Sequence, residues 1–180
     1  HNEVFENGDT SAPGKASSDY AVTPDHQYTQ TWTVEGRGLL KLLYPKLVQE
    51  SRGAVGSRGL KPAYYRYAFG SRADKTYEAR FDWETRLLTL KTGKGEQSHD
   101  LPANTLDILS FMYQFMFVPP LQEMHVALTN GKRLGEYDYA FEGEEPLQLG
   151  ELTVQTIHIA HSRGDTDEKI ELWLASDYRY

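Results

Sequence analysis

Alternation of apolar and polar side chains is the dominant pattern along the chain. In residues 75–84, Tyr77, Ala79, Phe81 and Trp83 alternate with Glu78, Arg80, Asp82 and Glu84. A period of two places one set on each face of a strand. Residues 28–36 repeat it, with Tyr28, Gln30, Trp32 and Val34 on one side and Thr29, Thr31, Thr33 and Glu35 on the other. That composition suits a half-buried strand. Turn signals at Asn7-Gly8, Pro24-Asp25, Ser57-Arg58-Gly59, Thr92-Gly93, Asn130-Gly131 and Arg163-Gly164-Asp165 punctuate the sequence. Most runs between them are about ten residues, the spacing of a meander, sandwich or barrel.

The strands this predicts begin with 1–7 and 14–22, paired around Asn7-Gly8, followed by 28–36. A hairpin joins 46–56 to 60–69, with Tyr65, Tyr67 and Phe69 on one face and Tyr64, Arg66 and Ala68 on the other. Residues 75–84 return through 86–92. Residues 122–129 and 134–142 flank Asn130-Gly131, where two positive-φ residues suit a tight hairpin. Residues 152–162 and 167–175 form the last pair.

Two segments break the alternation. Residues 38–44 predict a short helical turn ended by Pro45, because the residue before proline avoids the α region. Residues 104–117 predict the main helix, capped by Asn104 or Thr105 and stopped by Pro119-Pro120. Leu106, Leu109, Phe111 or Met112, Phe115 and Met116 supply its apolar face; Asp107, Ser110 and Tyr113 or Gln114 form a polar stripe. The expected fold is mainly β: a single curved antiparallel sheet or incomplete β-barrel with these two helical pieces. A chain of 180 residues suits one domain, 1–180.

Charge and composition narrow the function. The net charge of -7, from 19 basic and 26 acidic side chains, repels phosphates and argues against nucleic acid as a partner. It equally disfavours adsorption to an anionic membrane face. With no cysteine, disulfides, thiolate catalysis and Cys-containing metal sites are excluded. The longest strongly apolar stretch, Ile108 to Leu121, is too short to span a bilayer and contains Gln114, so no transmembrane segment is expected. The start, His1-Asn2-Glu3, lacks the basic and apolar regions of a signal peptide. Twelve tyrosines, seven phenylalanines and three tryptophans suit a β core.

Candidate chemistry is sparse. His158 and His161 are three apart, which puts them on opposite faces of a strand; His26, His99 and His125 are isolated. No metal site is expected. Neither a Walker motif nor a dinucleotide fingerprint is present, so no cofactor is expected. Glu142, Glu144 and Glu145 fall in a connecting segment, and Asp165, Asp167 and Glu168 in a turn. Asp107 shares the helix stripe with Ser110 and Tyr113, but a hydrolytic triad needs a histidine base and none is near. A role in the first turn is expected for Asp107, with the helix dipole lowering its pKa. Leu39, Leu40, Leu42 and Leu43 crowd a segment too short to bury all four.

Several motifs in order resemble one bacterial family. They are Gly38-Leu39-Leu40…Leu43-Tyr44-Pro45, Gly59-Leu60-Lys61-Pro62…Tyr65-Arg66-Tyr67, Phe81-Asp82-Trp83, Asp107-Ile108-Leu109-Ser110…Tyr113 and Glu171-Leu172-Trp173-Leu174-Ala175. Together with Val4…Asn7-Gly8 and Gly14…Tyr20 they are similar to DUF3108, a domain of unknown function found in exported proteins of Gram-negative bacteria. The resemblance covers nearly the whole chain. It implies a periplasmic or envelope location after signal-peptide removal, and a likeness to the curved, incomplete barrels of lipoprotein carriers. It implies a further strand containing Leu-Pro past the position of Tyr180. It brings no catalytic residues with it.

Three functions are then expected in turn. The first is a non-enzymatic periplasmic domain that binds a lipid or other apolar ligand, or an envelope protein. Its candidate wall is Trp32, Leu39, Leu43, Tyr65, Tyr67, Trp83, Phe111 and Phe115. The second is an interaction module with a filled core, presenting a sheet edge or the acidic loop 142–145. The third is a hydrolase of envelope polymers, which needs carboxylates across a cleft; Asp82, Asp107 and Glu171 are its candidates.

Overall fold

The computed structural model of the chain describes residues 14–115, 117, 120, 122–149, 152–164 and 172–175. Strands β1 (Gly14–Val22), β2 (Gln27–Gly36), β3 (Leu47–Gly56), β4 (Gly59–Phe69), β5 (Thr76–Asp82), β6 (Leu87–Thr92) and β7 (Gly95–Asp100) form a seven-stranded sheet in sequence order. Every pairing in it is antiparallel. The second sheet has five strands, β8 (Leu106–Asp107), β9 (Glu123–Thr129), β10 (Leu134–Leu149), β11 (Leu152–Gly164) and β12 (Leu172–Ala175), in the order β12-β11-β10-β9-β8. It curls into a half-barrel. Only β8 against β9 is parallel there. Helix α1 (Leu40–Leu43) links β2 to β3, and α2 (Ile108–Gln114) follows β8. The fold is mainly β and barrel-like, as the alternation predicts.

The alternation sets the faces. In β5, Ala79 and Phe81 are buried while Arg80 and Asp82 are exposed. One local irregularity redirects β4. Tyr64 lies opposite Arg52, but Pro62 lies opposite Gly53, so Ala63 is an extra residue. The bulge turns both Pro62 and Tyr65 inward. It requires glycine on the partner strand, because a Cβ on Gly53 would lie 2.1 Å from the Lys61 carbonyl oxygen.

Several elements differ from expectation. β1 pairs with β2, aligning Tyr20 with Gln30; the expected strand 1–7 lies outside the described residues. β7 is absent from the sequence reading because Gly-Glu-Gln-Ser-His-Asp is exposed at every position, and an edge strand with no buried face carries no apolar period. β10 runs on to Leu149, so Glu142, Glu144 and Glu145 lie in a strand and not in a loop. A register shift between Phe141 and Gly143, with Gly143 at φ 147, breaks the pattern there. At the β9–β10 connection only Gly131 has positive φ. Thr129 pairs with Leu134, leaving residues 130–133 as the loop. Asn130 Oδ1 accepts the Lys132 and Arg133 amides at 3.0 and 3.1 Å and closes it. The expected 167–175 strand is described only as β12.

The main helix is shorter than 104–117. Asn104 turns the chain at φ 62, Leu106 and Asp107 join the second sheet beside Leu128 and Thr129, and the helix starts at Ile108. It wedges between two clusters. Phe111 and Phe115 pack with Tyr28, Leu60, Leu128 and Tyr139. Leu109 packs with Tyr65, Ala79, Leu88, Leu90 and Leu101.

Candidate functional site

The junction of β8 and α2 builds a buried polar cluster. Asp107 is the N-cap residue of α2, in place of Asn104 or Thr105. Its Oδ1 accepts the Ser110 amide at 2.8 Å, and its own amide donates to Ser110 Oγ at 3.0 Å. These reciprocal bonds form a capping box. The other carboxylate oxygen accepts the Ser51 hydroxyl from β3 at 2.7 Å. Ser51 Oγ lies 3.0 Å from the Tyr28 hydroxyl of β2. Asp107, Ser51 and Ser110 are each 0% exposed. The cluster thus ties the first sheet to the start of the helix.

Burial dominates the electrostatics. Desolvation pushes the Asp107 carboxyl up to about 6, against the pull of its hydrogen bonds from Ser110 and Ser51. This corrects the expected depression by the helix dipole. A helix of seven residues aligns few peptide units, and the cost of removing a carboxylate from water is larger. The Tyr28 and Tyr65 hydroxyls are raised well above the usual phenol range, first by burial and then by the charge of Asp107.

Two further polar groups line this interior. The Tyr65 hydroxyl donates to Gln49 Oε1 at 2.7 Å. Gln30 lies opposite Ser51 in the β2–β3 register and is 1% exposed. Neither atom of its amide has a hydrogen-bond partner among the described residues. The hydroxyl of Tyr20, its neighbour on β1, has none there either, and burial pushes it up to about 12. A buried amide without partners costs about 1–3 kcal/mol. Gln30→Met, close in volume and apolar, is therefore expected to raise stability by about 1–3 kcal/mol in chemical denaturation. A less stable variant would show that the amide is bonded.

The hydrolase candidates are not brought together. Asp82 sits exposed at the β5–β6 turn. It accepts the Glu84 and Thr85 amides at 3.0 and 2.9 Å, which hold its carboxyl below the usual range. Asp107 is enclosed, and Glu171 lies outside the described residues. Among the described residues no group of three His, Asp or Glu is placed to hold a metal.

The eight proposed wall residues fall into three places. Tyr65 is buried in the second cluster, with Trp32, Tyr67 and Trp83 partly buried against it. Phe111 and Phe115 belong to the first cluster, on the other side of α2. Leu39 and Leu43 line no interior: they are 79% and 71% exposed, and neighbouring Tyr44 is 61% exposed. A four-residue helix is too short to turn all of its leucines toward the sheet. The crowding of leucines in 38–44 was the signal for this. No helix among the described residues is long and apolar enough to cross a membrane.

With this geometry in place, comparison with known proteins adds a family. The sequence pattern of the family described as "Protein of unknown function (DUF3108)" matches residues 9–180. The chain belongs to DUF3108. No curated protein matches it. Among solved structures it is similar to the crystal structure of a β-barrel-like protein of domain of unknown function DUF1849 from Brucella abortus. The identity is 14%, over 92% of this chain and 77% of that chain, with a TM-score of 0.46. The DUF3108 match takes in both the α1 turn and the Asp107 junction.

Proposed function

We propose that this DUF3108 domain is a non-enzymatic component of the bacterial periplasm that acts by contact with another envelope component. The barrel is the scaffold, and the apolar turn Leu39–Tyr44 is the contact surface. One observation carries this reading: three large apolar side chains stand exposed within six residues, at 79%, 71% and 61%. Single exposed leucines are ordinary, whereas a contiguous patch marks an interaction site. The carboxylates support a non-catalytic role, since Asp107 caps a helix and Asp82 closes a turn.

The test is the double variant Leu39→Ser/Leu43→Ser. Both side chains lie in solvent, so stability should stay within about 0.5 kcal/mol of the parent. A strain lacking the gene should not be rescued by it. Full rescue would remove the turn from the functional surface.

A second reading, an apolar ligand held inside the barrel, draws on Gln30 and Tyr20, whose buried polar atoms would suit a ligand's headgroup. Native mass spectrometry decides it: a co-purified lipid supports the carrier, and its absence together with no binding of apolar dyes counts against it.

A further inference from the structure

We propose that the Leu39–Tyr44 turn seats on the surface of an anionic phospholipid bilayer. This rests on the contact reading above and names the chemistry of the partner. The antiparallel order of the first sheet brings the start of β1, the β2–β3 connection, the β4–β5 connection and the β6–β7 connection to one end. Among the described residues, cations outnumber acids at that end. Arg37, Lys41 and Lys46 lie in the turn segment itself, with no acid between Gly36 and Leu47. Lys75 and Lys94 are exposed in the neighbouring connections. Lys132, from the β9–β10 loop, stands 5.8 Å from the ring centre of Tyr77 at the start of β5 and adds to the same end. Described acids there face cations: Glu35 is opposite Lys15, Glu96 is opposite Lys91, and Asp74 binds Arg72 at 2.8 Å.

The net charge of -7 therefore hides a segregated distribution. Acidic side chains gather elsewhere, notably along β10 at Glu136, Asp138, Glu142, Glu144 and Glu145. Arg37 and exposed Lys46 flank the exposed leucines along the chain, and exposed Lys75 and Lys94 stand in the neighbouring connections. An apolar tip flanked by lysines is the arrangement that enters a lipid interface: the leucines and Tyr44 leave water, and the lysine ammoniums reach the phosphates. Anionic headgroups attract juxtaposed Lys and Arg over roughly a Debye length. Net charge alone does not decide the matter, because that length is shorter than the domain.

Vesicle co-sedimentation tests this with the purified protein. On vesicles of equal parts phosphatidylglycerol and phosphatidylcholine, binding should be at least about tenfold stronger than on phosphatidylcholine alone, and should weaken as salt is raised. Leu39→Ser/Leu43→Ser and, separately, Lys46→Glu/Lys75→Glu should each reduce it about tenfold or more, with melting curves unchanged. Equal binding to both vesicle types, or binding untouched by the leucine variant, overturns the proposal. Absence of vesicle binding with self-association that the leucine variant abolishes assigns the turn to a second copy of the chain, and also overturns it. If the leucine variant fails in cells while the parent ignores vesicles, the bilayer falls and the contact reading stands. If the leucine variant rescues the deletion strain, the contact reading itself falls.

Discussion

Tyr65→Ala is expected to destabilise the domain by about 3–5 kcal/mol, the range for deleting a large buried side chain. Tyr65 is 0% exposed in the middle of the first sheet, between Ser51 of β3 and Ala79 of β5. The glycine of the β9–β10 loop covers its ring: a Cβ on Gly131 would come within 3.2 Å of Tyr65 Cε1. The strands on both sides are held by their hydrogen-bond ladders, so the space left by the ring cannot collapse, and the loss should lie toward the upper end of the range. A typical domain has about 5–15 kcal/mol in total, so this single change removes a large share. Tyr65→Phe isolates the polar part. It keeps the ring and leaves Gln49 Oε1 without the hydroxyl it accepts at 2.7 Å, an expected cost of about 1–3 kcal/mol. Urea denaturation of the three proteins measures both, through midpoints at constant slope. A Tyr65→Ala protein within about 1 kcal/mol of the parent would remove Tyr65 from the core and with it the register of β4.

How much of this was legible in the sequence depends on whether a signal is local. β5 was legible because Ala79 and Phe81 meet the core while Arg80 and Asp82 meet water, and that contrast repeats every two residues. β7 was illegible for the opposite reason, since all its residues are exposed. The helix was legible from its apolar face. Its start was not, because Leu106 and Asp107 pair with Leu128 and Thr129 across a long separation, and no property of 104–107 announces that. The candidate wall shows the same limit. Composition identifies Phe111 and Tyr65 as interior residues, but only the position of α2 assigns them to different clusters. Net charge has a related limit. It sums over the surface and does not report that Lys46 and Lys75 are brought to one end by the meander, or that Lys132 joins them from the β9–β10 loop. Asp107 is the clearest case. Its place near a helix start was readable, but its burial depends on Ser51, 56 positions away.

Asp107→Asn should therefore abolish a pH dependence, and should raise stability at neutral pH where a dipole argument would lower it. The folded carboxyl titrates at about 6, against about 3.9 in an unfolded chain. Between those values the native state holds a proton that the unfolded state has released, so stability falls as pH rises through the window. Below about pH 4 both states are protonated and nothing is lost. Above about pH 6 the enclosed charge costs the full difference, about 3 kcal/mol for two pKa units. The amide in Asp107→Asn carries no charge at any pH. Its oxygen can keep the Ser110 amide, and its NH2 can donate to Ser51 Oγ if the Ser51 hydroxyl turns to Tyr28, 3.0 Å away. The stability difference between variant and parent should thus be near zero or slightly negative at pH 4. It should climb by about 2–3 kcal/mol by pH 7. Asp25, Asp74 and Asp82 have lowered pKa values and pull the opposite way in acid, but they cancel in the difference because both proteins share them. Urea titrations at half-unit pH steps give the curve directly. A flat difference between pH 4 and 7 would mean that Asp107 ionises as freely in the fold as in water, and that the interior beneath α2 is open to solvent.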